Sequence, residues 1–172
     1  MKLFTIGVYG FSETVFFETL REAGMDTLCD IRWRRGVRGA EYAFANSARL
    51  QRRLAELGIR YVHCRELAPS PAIRQRQFDV DKAQRIAKRK RSALSEAFIA
   101  AYRQERLSAF DSRKFIEQLG SEARVVALFC VEREPAACHR SLLAEQLQQD
   151  LGAQCEVIHL KPKSAAGEGT TG

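Results

Sequence analysis

Short apolar segments alternate with longer amphipathic segments along almost the whole chain. Apolar runs of about four to eight residues are typical of buried strands, and they occur at 2–8, 27–32, 59–63, 124–131 and 154–160. Segments that predict helices lie between them, at 12–23, 46–57, 79–106, 111–119 and 135–151. The pattern therefore predicts a three-layer α/β fold, Rossmann-like, with a mostly parallel sheet of about five strands and helices on both faces.

The segment at about 70–106 stands apart because charge interrupts its helical pattern. We expect a Pro-containing loop at 65–78, and between 79 and 106 apolar positions recur at helical spacing. The basic run at 88–91 breaks this apolar stripe, so that two helices and one long projecting helix both remain open. The segment is predicted to be a basic helical insertion in the α/β domain.

The composition suits one domain with a core of its own. The chain has 172 residues, of which 45% are hydrophobic and 28% are charged, ordinary values for a globular protein. We expect a single α/β domain over 1–160 and a disordered tail at 161–172. No apolar run approaches the ~20 residues that span a bilayer, and the start, 1–7, is too short and strand-like for a signal peptide. The sequence thus predicts a cytoplasmic protein without a membrane partner, and the five cysteines are predicted to be free thiols.

The positive charge is concentrated in one segment. The net charge is +7, and residues 70–95 hold eight basic and two acidic side chains, which account for +6 of it. Such a run is by default a solvated helix face, but it also favours contact with a nucleic-acid backbone. The candidate contacts are Lys88, Arg89, Lys90 and Arg91. The loop at 33–45 adds the aromatic residues Trp33, Tyr42 and Phe44, which can stack on bases or be buried.

Polar residues gather where the predicted strands end. Because the carboxyl ends of parallel strands meet at one edge of a sheet, a ligand site is expected at that edge. Arginine binds carboxylate or phosphate through paired hydrogen bonds, and the predicted anion site consists of Gly7, Asp30, Arg32, Arg133 and Arg140. The alternative is a buried ion network in which Asp30, Glu132 and the same arginines tie the loops together.

Four residues of the segment 130–140 can carry chemistry, namely Cys130, Glu132, Cys138 and His139. Pro135 suits the first position of a helix, which would set Cys138 and His139 about 100° apart on that helix. A helix N-terminus and nearby arginines lower a thiol pKa, so Cys138 is a candidate nucleophile, with His139 or Glu132 moving protons. Cys130 is the alternative nucleophile, and Cys138 can instead pack as a small apolar residue.

A metal can be held by three residues of the same segment, Cys130, Cys138 and His139. A fourth donor would be His63, His159 or Glu132. The spacing of these residues matches no standard zinc pattern. The sequence accordingly predicts no metal and no other cofactor.

The motifs at these positions resemble those of a bacterial and archaeal family, the domain of unknown function DUF488. The family pattern corresponds here to Thr5-Ile6-Gly7, Asp30-Ile31-Arg32, Gly58-Ile59-Arg60-Tyr61, Cys130 and Glu132, then Pro135 and Cys138-His139-Arg140, with His159 near the last strand's end. Two loops depart from the pattern, at 33–39, where members usually carry a Pro and a Ser-Arg pair, and at 67–69, where Leu-Gly-Gly is common. The resemblance covers about residues 3–160, implies an α/β fold and does not supply a reaction.

Three functions remain open on the sequence alone. The first is an enzyme, a hydrolase or transferase, whose substrate is phosphorylated or otherwise anionic, a nucleotide or nucleic acid included. The second is a non-catalytic nucleic-acid-binding protein that uses residues 70–95. The third is cysteine-based sulfur transfer or redox chemistry, since a Cys-bearing loop before a helix is similar to that of rhodanese-like sulfurtransferases.

Overall fold

A computed structural model describes residues 1–162 of the chain and contains one five-stranded sheet. The strands are β1 (Lys2–Ile6), β2 (Thr27–Asp30), β3 (Arg60–His63), β4 (Val125–Phe129) and β5 (Glu156–Leu160). Every strand pair is parallel, and the spatial order is β3-β2-β4-β1-β5. The predicted parallel α/β sheet is therefore confirmed.

Burial separates the central strands of this sheet from its edges. Every residue of β2 is buried, as is every residue of β4 after Val125. The edge strands β3 and β5 keep only half-buried or exposed residues. Continuous burial is expected of parallel strands that helices cover on both faces, which is why the central apolar runs of the sequence show no alternation.

Helices cover both faces of the sheet. Those of residues 1–162 are α1 (Glu13–Glu22), α2 (Ser47–Glu56), α3 (Pro71–Ala83), α4 (Glu96–Tyr102), α5 (Ser112–Leu119) and α6 (His139–Leu151). Helices α1 and α2 bury side chains such as Phe16 and Leu50 in one apolar cluster. Helices α3 to α6 bury side chains such as Phe98 and Leu143 in a second cluster. One cluster lies on each face of the sheet, and this arrangement confirms the predicted three layers.

Side-chain caps fix where four of these helices begin. Ser12, Ser70, Ser95 and Asp111 each accept a hydrogen bond from a backbone N–H in the first turn of α1, α3, α4 and α5 respectively. A cap of this type contributes about 1 kcal/mol to stability. Local sequence therefore sets the starts of these helices before any tertiary packing is considered.

The basic segment differs from the prediction at its start and in its middle. The second half of the predicted loop 65–78 is helical, because α3 begins at Pro71. Ser70 caps this helix and the proline fits its first position, a combination that starts helices. The helical pattern at 79–106 is divided between α3 and α4, and Arg85, with φ of 55°, stands just past the end of α3. Residues 84–95, here called the strap, join the two helices with one short 3₁₀ turn inside them.

The prediction that Pro135 opens the next helix is wrong. Pro135–Ala137 forms a separate 3₁₀ turn, and α6 begins only at His139. Cys138 is extended, with φ −141° and ψ 140°, and stands at the N-cap position of α6. The expected 100° separation of Cys138 and His139 therefore does not apply, because only one of the two residues is helical.

The end of the domain contacts the sheet's carboxyl edge. Lys161 Nζ lies 2.7 Å from a carboxylate oxygen of Glu134. The rest of the predicted tail, residues 163–172, lies outside the described residues. None of the helices within residues 1–162 has the length and apolar character that crossing a membrane requires.

Candidate functional site

The strand order reverses between β1 and β4, and their carboxyl ends define the site. From β1 the chain crosses to β2 on one side, and from β4 it crosses to β5 on the other. In α/β sheets a ligand crevice forms at such a reversal. The loops that leave the two strands are bonded to each other here, since Val8 N and Tyr9 N donate to Val131 O at 3.1 and 3.0 Å.

Gly7 allows these two loops to touch. A Cβ atom at this position would lie 1.8 Å from the carbonyl oxygen of Glu132, far inside van der Waals contact. Any side chain would therefore push the β4 loop away from β1. Gly7, predicted to line an anion site, has a packing role in this structure.

Arg140 is fully buried and clamps the same loop from below. Its Nη1 donates to Glu132 O at 2.6 Å and its Nη2 to Arg133 O at 3.0 Å. Its Nε lies 3.4 Å from Thr5 Oγ1. The guanidinium thus satisfies two carbonyls of the loop that carries Glu132, and all three of these bonds are internal to the protein.

Arg32 is paired just as completely with Asp30. The Nε and Nη2 atoms of Arg32 donate to the two carboxylate oxygens at 2.8 and 2.7 Å, and Nη1 donates to Ala45 O at 2.9 Å. Tyr61 Oη donates to Asp30 Oδ2 at 2.7 Å. Arg32 and Asp30 are 3% and 0% exposed, so the pair forms the buried ion network that the sequence left as an alternative. A ligand role for Arg32 or Arg140 stays a prediction, and Arg133, about half exposed, is the most accessible of the three.

Two thiols and one imidazole form a buried cluster beside the clamped loop. Cys138 Sγ lies 3.7 Å and Cys130 Sγ 3.9 Å from the same atom, His139 Nδ1. The other ring nitrogen, Nε2, lies 3.0 Å from the carbonyl oxygen of Ile31. That oxygen can only accept, so Nε2 carries a proton, and Nδ1 faces the sulfurs with the freedom to take or give one. We call these three residues the dithiol cluster.

The two thiols differ in acidity. Burial raises the pKa of the Cys138 thiol, but a hydrogen bond from Cys130 and the neighbouring His139 and Arg140 together outweigh burial and hold that pKa well below its usual range. The hydrogen bond to Cys138 and burial raise the pKa of the Cys130 thiol well above its usual range. These opposite directions favour Cys138 as the more acidic thiol of the pair and Cys130 as the less acidic one.

The same three atoms could also hold a soft metal ion. Cys130 Sγ, Cys138 Sγ and the near nitrogen of His139 all lie within 4.8 Å of one another. Zinc bonds of about 2.3 Å to sulfur and 2.0 Å to nitrogen imply donor separations of roughly 3.5–3.8 Å in a tetrahedron. The cluster supplies three such donors, and a fourth would have to come from a solvent molecule or a substrate.

Glu132 lies over the dithiol cluster and connects it to the strap. Its Oε1 is 3.1 Å from Arg91 Nη2 and 3.4 Å from Lys88 Nζ. Burial raises the pKa of the Glu132 carboxyl, with Lys88 and Arg91 opposing that rise. Arg91 also pairs with Asp81 at 2.8 Å. Cys138 itself is only 2% exposed.

The four residues of the basic run 88–91, which is predicted to bind nucleic acid, make different contacts. Lys88 and Arg91 face Glu132, as described, and Arg91 is 10% exposed. Arg89 pairs with Glu41 at 3.2 Å and remains about half exposed. Lys90 is exposed. Only part of this run is therefore open to a ligand.

A further group of side chains lies at the ends of β2 and β3, and it includes Trp33, one of the aromatic residues predicted from the sequence to stack on bases or be buried. The guanidinium carbons of Arg65 and Arg74 lie 4.4 and 5.8 Å from the ring centroid of Trp33. Burial and then the charge of Arg34 lower the pKa of the Arg74 guanidinium. We call Trp33, Arg34, Arg65 and Arg74 the Trp33 cluster. Recognising Ser70-Pro71 as a helix start would have placed Arg74 near the N-terminus of α3.

The remaining candidates from the sequence have structural contacts. His63 Nε2 lies 3.1 Å from Arg32 O, and His159 Nδ1 lies 2.8 Å from Thr5 Oγ1. Both histidines are therefore outside the dithiol cluster. Cys29, Cys64 and Cys155 are buried free thiols within the core.

Comparison with known proteins gives one finding. The family model described as "Domain of unknown function DUF488" matches residues 13–147. No curated protein and no solved structure matches the chain significantly. The matched segment contains Asp30, Arg32 and the whole of the dithiol cluster but begins after Gly7. Since the match spans most of the chain, the protein belongs to the DUF488 family.

Proposed function

We propose that this DUF488 protein is a thiol-dependent enzyme that exchanges electrons with a small, negatively charged disulfide. The observation that carries the proposal is the convergence of Cys130 Sγ and Cys138 Sγ on one imidazole nitrogen, at 3.9 and 3.7 Å. The nitrogen on the opposite side of that ring is anchored to Ile31 O. A nucleophile, its resolving partner and a proton carrier are thus assembled at the crevice of the sheet.

The reaction proceeds in two balanced steps. Cys138 thiolate attacks one sulfur of the substrate disulfide, the substrate S–S bond breaks, and a substrate thiolate leaves as a mixed disulfide forms on Cys138. Cys130 then gives its proton to His139 Nδ1 and attacks the Cys138 sulfur. The second substrate thiolate leaves and takes this proton. The substrate is reduced to one thiolate, which takes a proton from solvent, and one thiol; the two cysteines are oxidised to a disulfide, and a dithiol reductant restores them.

The charge at the mouth of the site supports an anionic substrate. Lys88 is 59% exposed while its ammonium lies 3.4 Å from Glu132, and Arg133 is about half exposed on the same loop. Arg133 also lies 3.7 Å from Glu134, but both cations keep half or more of their side chains exposed and can attract substrate carboxylates. The small exposure of Cys138 favours a small substrate over a protein disulfide.

Site-resolved alkylation tests the proposal. The reduced protein is treated with iodoacetamide at pH 7, and labelling of each of the five cysteines is followed by mass spectrometry. We expect Cys138 to react at least tenfold faster than Cys29, Cys64 and Cys155, because reactivity follows the thiolate fraction. Oxidation by a small disulfide should then join Cys130 to Cys138, and Cys130→Ser should accumulate the mixed disulfide.

Two results would contradict this function. One is uniformly slow labelling of all five cysteines. Cys155→Ser is the matched control for Cys130→Ser, because it removes one thiol outside the dithiol cluster. The other is a stoichiometric zinc ion in the purified protein that is released when the dithiol cluster is alkylated. The second result would assign the same three side chains to a metal centre instead.

A further inference from the structure

The Trp33 cluster brings three like charges together. Within residues 1–162, none of the guanidiniums of Arg34, Arg65 and Arg74 forms an ion pair with a carboxylate. Arg74 Nε is buried without a hydrogen-bond partner in that part of the chain. Leaving a buried donor unsatisfied costs about 1–3 kcal/mol. An arrangement maintained for stability alone would place an acceptor at this point.

The helix beneath the cluster adds to the positive charge. Arg74 lies near the N-terminus of α3, whose first turn contains no acidic residue. The helix dipole puts partial positive charge at that end, where an anion is stabilising and a cation is not. Arg34 and Arg65 are both exposed, so a ligand can reach the cluster from solvent. Glu105 Oε2 accepts from the capping Ser70 Oγ at 3.3 Å, so one carboxylate already lies near this end of α3, and the exposed arginines extend the positive charge beyond it.

The cluster continues into a longer basic band. Arg34, Arg35 and Arg38 belong to the loop that follows Trp33, and Arg89 Nη2 of the strap donates to Arg38 O at 2.9 Å. The Arg89 guanidinium lies 5.1 and 5.2 Å from the ring centroids of Tyr9 and Tyr42. Accessible cations and guanidinium-covered aromatic rings therefore follow one another along the carboxyl edge of the sheet.

We infer that this band binds single-stranded nucleic acid, with the Trp33 cluster holding phosphates of its backbone. A single phosphate would occupy the cluster alone, whereas the band extends beyond it to Arg89. Cationic grooves with interleaved aromatic rings are how proteins track a single strand without reading its sequence. Arg65, packed on the ring of Trp33, presents its N–H edge to a phosphate in a fixed orientation. The Trp33 cluster lies at the ends of β2 and β3 and shares no residue with the dithiol cluster, so substitutions in the Trp33 cluster test nucleic-acid binding separately from thiol chemistry.

Trp33 reports binding directly because it is the only tryptophan of the chain. Its fluorescence is measured as a 20-mer of deoxythymidylate is added, and fluorescence anisotropy of the labelled 20-mer gives the affinity between 50 and 200 mM NaCl. The test variant is Arg65→Gln/Arg74→Gln. The matched control is Arg113→Gln/Lys114→Gln, which removes the same charge from exposed positions of α5.

The expected result is quenching of Trp33 and an affinity that falls steeply with salt. The test variant should bind at least tenfold more weakly at 50 mM NaCl, and its log–log salt slope should be shallower by about 1.4, since each phosphate contact on a single strand contributes about 0.7. The control should stay within twofold of the unmodified protein. The single variant Arg34→Gln, at an exposed position, should weaken binding about threefold and serves if the double variant does not fold.

Three outcomes would overturn the inference. The first is no binding at 50 mM NaCl, and the second is an equal loss of affinity in the control, which would indicate net charge alone. The third is binding of deoxythymidine triphosphate as tight as that of the 20-mer, which would assign the cluster to a free nucleotide. Each outcome is read on the reduced full chain, and none depends on the reactivity of Cys138.

Discussion

Two groups of arginines at the carboxyl edge of the sheet differ in what their guanidiniums contact. Arg32 and Arg140 are buried, and they donate to Asp30 and to main-chain carbonyls. The arginines of the Trp33 cluster have no carboxylate partner within residues 1–162 and repel one another. The first group holds loops together, and the second has its donors available to a ligand. The groups that a guanidinium contacts therefore distinguish a structural arginine from a ligand-binding arginine better than its place in a sequence motif does.

The largest effect is expected at Arg140. Arg140→Gln should lower the free energy of unfolding by about 3–5 kcal/mol, because two buried carbonyls lose a charged donor. Urea denaturation measures the loss, and Arg133→Gln, on the half-exposed side chain, is the control and should change stability by less than about 0.5 kcal/mol. If Arg140→Gln lowered the free energy of unfolding by less than 1 kcal/mol, Arg140 would not be a structural arginine. The contrast between the buried arginines and the Trp33 cluster would then fail.

Arg91 of the strap stands between the two groups, since it is nearly buried but pairs with Asp81 of α3 and with Glu132 of the site loop. Arg91→Gln should cost about 1–2 kcal/mol and should speed alkylation of Cys138 severalfold, because the strap loses its ion pairs with Asp81 and Glu132. Mass spectrometry of the labelled protein gives the rate. Arg85→Gln, also in the strap and exposed, is the control, and an equal acceleration there would show that the ion pairs of Arg91 do not close the site.

A near-zero effect on stability is expected in the Trp33 cluster. Arg65→Gln/Arg74→Gln should keep the free energy of unfolding within about 0.5 kcal/mol of that of the unmodified protein, because relief of like-charge repulsion offsets the lost contacts with the Trp33 ring. The same urea experiment checks this value. If the double variant were destabilised by 2 kcal/mol or more, its arginines would be structural and the two groups would no longer differ.

The smallest effect concerns pH and links back to Arg140. Burial and then the charges of Arg140 and Lys161 lower the pKa of His159 below its usual 6.5. The unfolded chain therefore binds a proton more readily than the folded one below that pH, and stability present above pH 6.5 should be lost as the pH falls toward the folded pKa. Thermal melts between pH 5 and 7.5 measure this loss. His159→Gln should flatten the profile, and an unchanged profile would exclude His159 as its cause.

The sheet was predictable because its signals are local and strong. Apolar runs such as 124–131 alternate with capped helices, and this alternation alone implies a parallel sheet with a site at its carboxyl edge. The start of α3 is also encoded in Ser70-Pro71, although a proline in a polar stretch equally predicts a loop. The error at Pro135 had the larger consequence, since it hid the N-cap position of Cys138.

The contacts that each charged side chain makes could not be predicted from the sequence. Nothing local indicates that Arg140 reaches the carbonyls of Glu132 and Arg133, or that Arg74 lies near Arg34 without an ion pair in the part of the chain that the structure describes. Such contacts depend on how elements distant in sequence pack together. The sequence therefore located the rim of the site, and only the fold shows which charges there are already neutralised.

The position of β1 has a consequence for the order in which the chain is built. This strand emerges first, yet both of its neighbours, β4 and β5, come from the last third of the sequence. At roughly 5–20 residues per second of synthesis, β1 remains without a native partner for about 6–25 s after it leaves the ribosome. During that interval Leu3, Phe4 and Ile6 are candidates for chaperone binding, and the dithiol cluster is among the last parts of the protein to form.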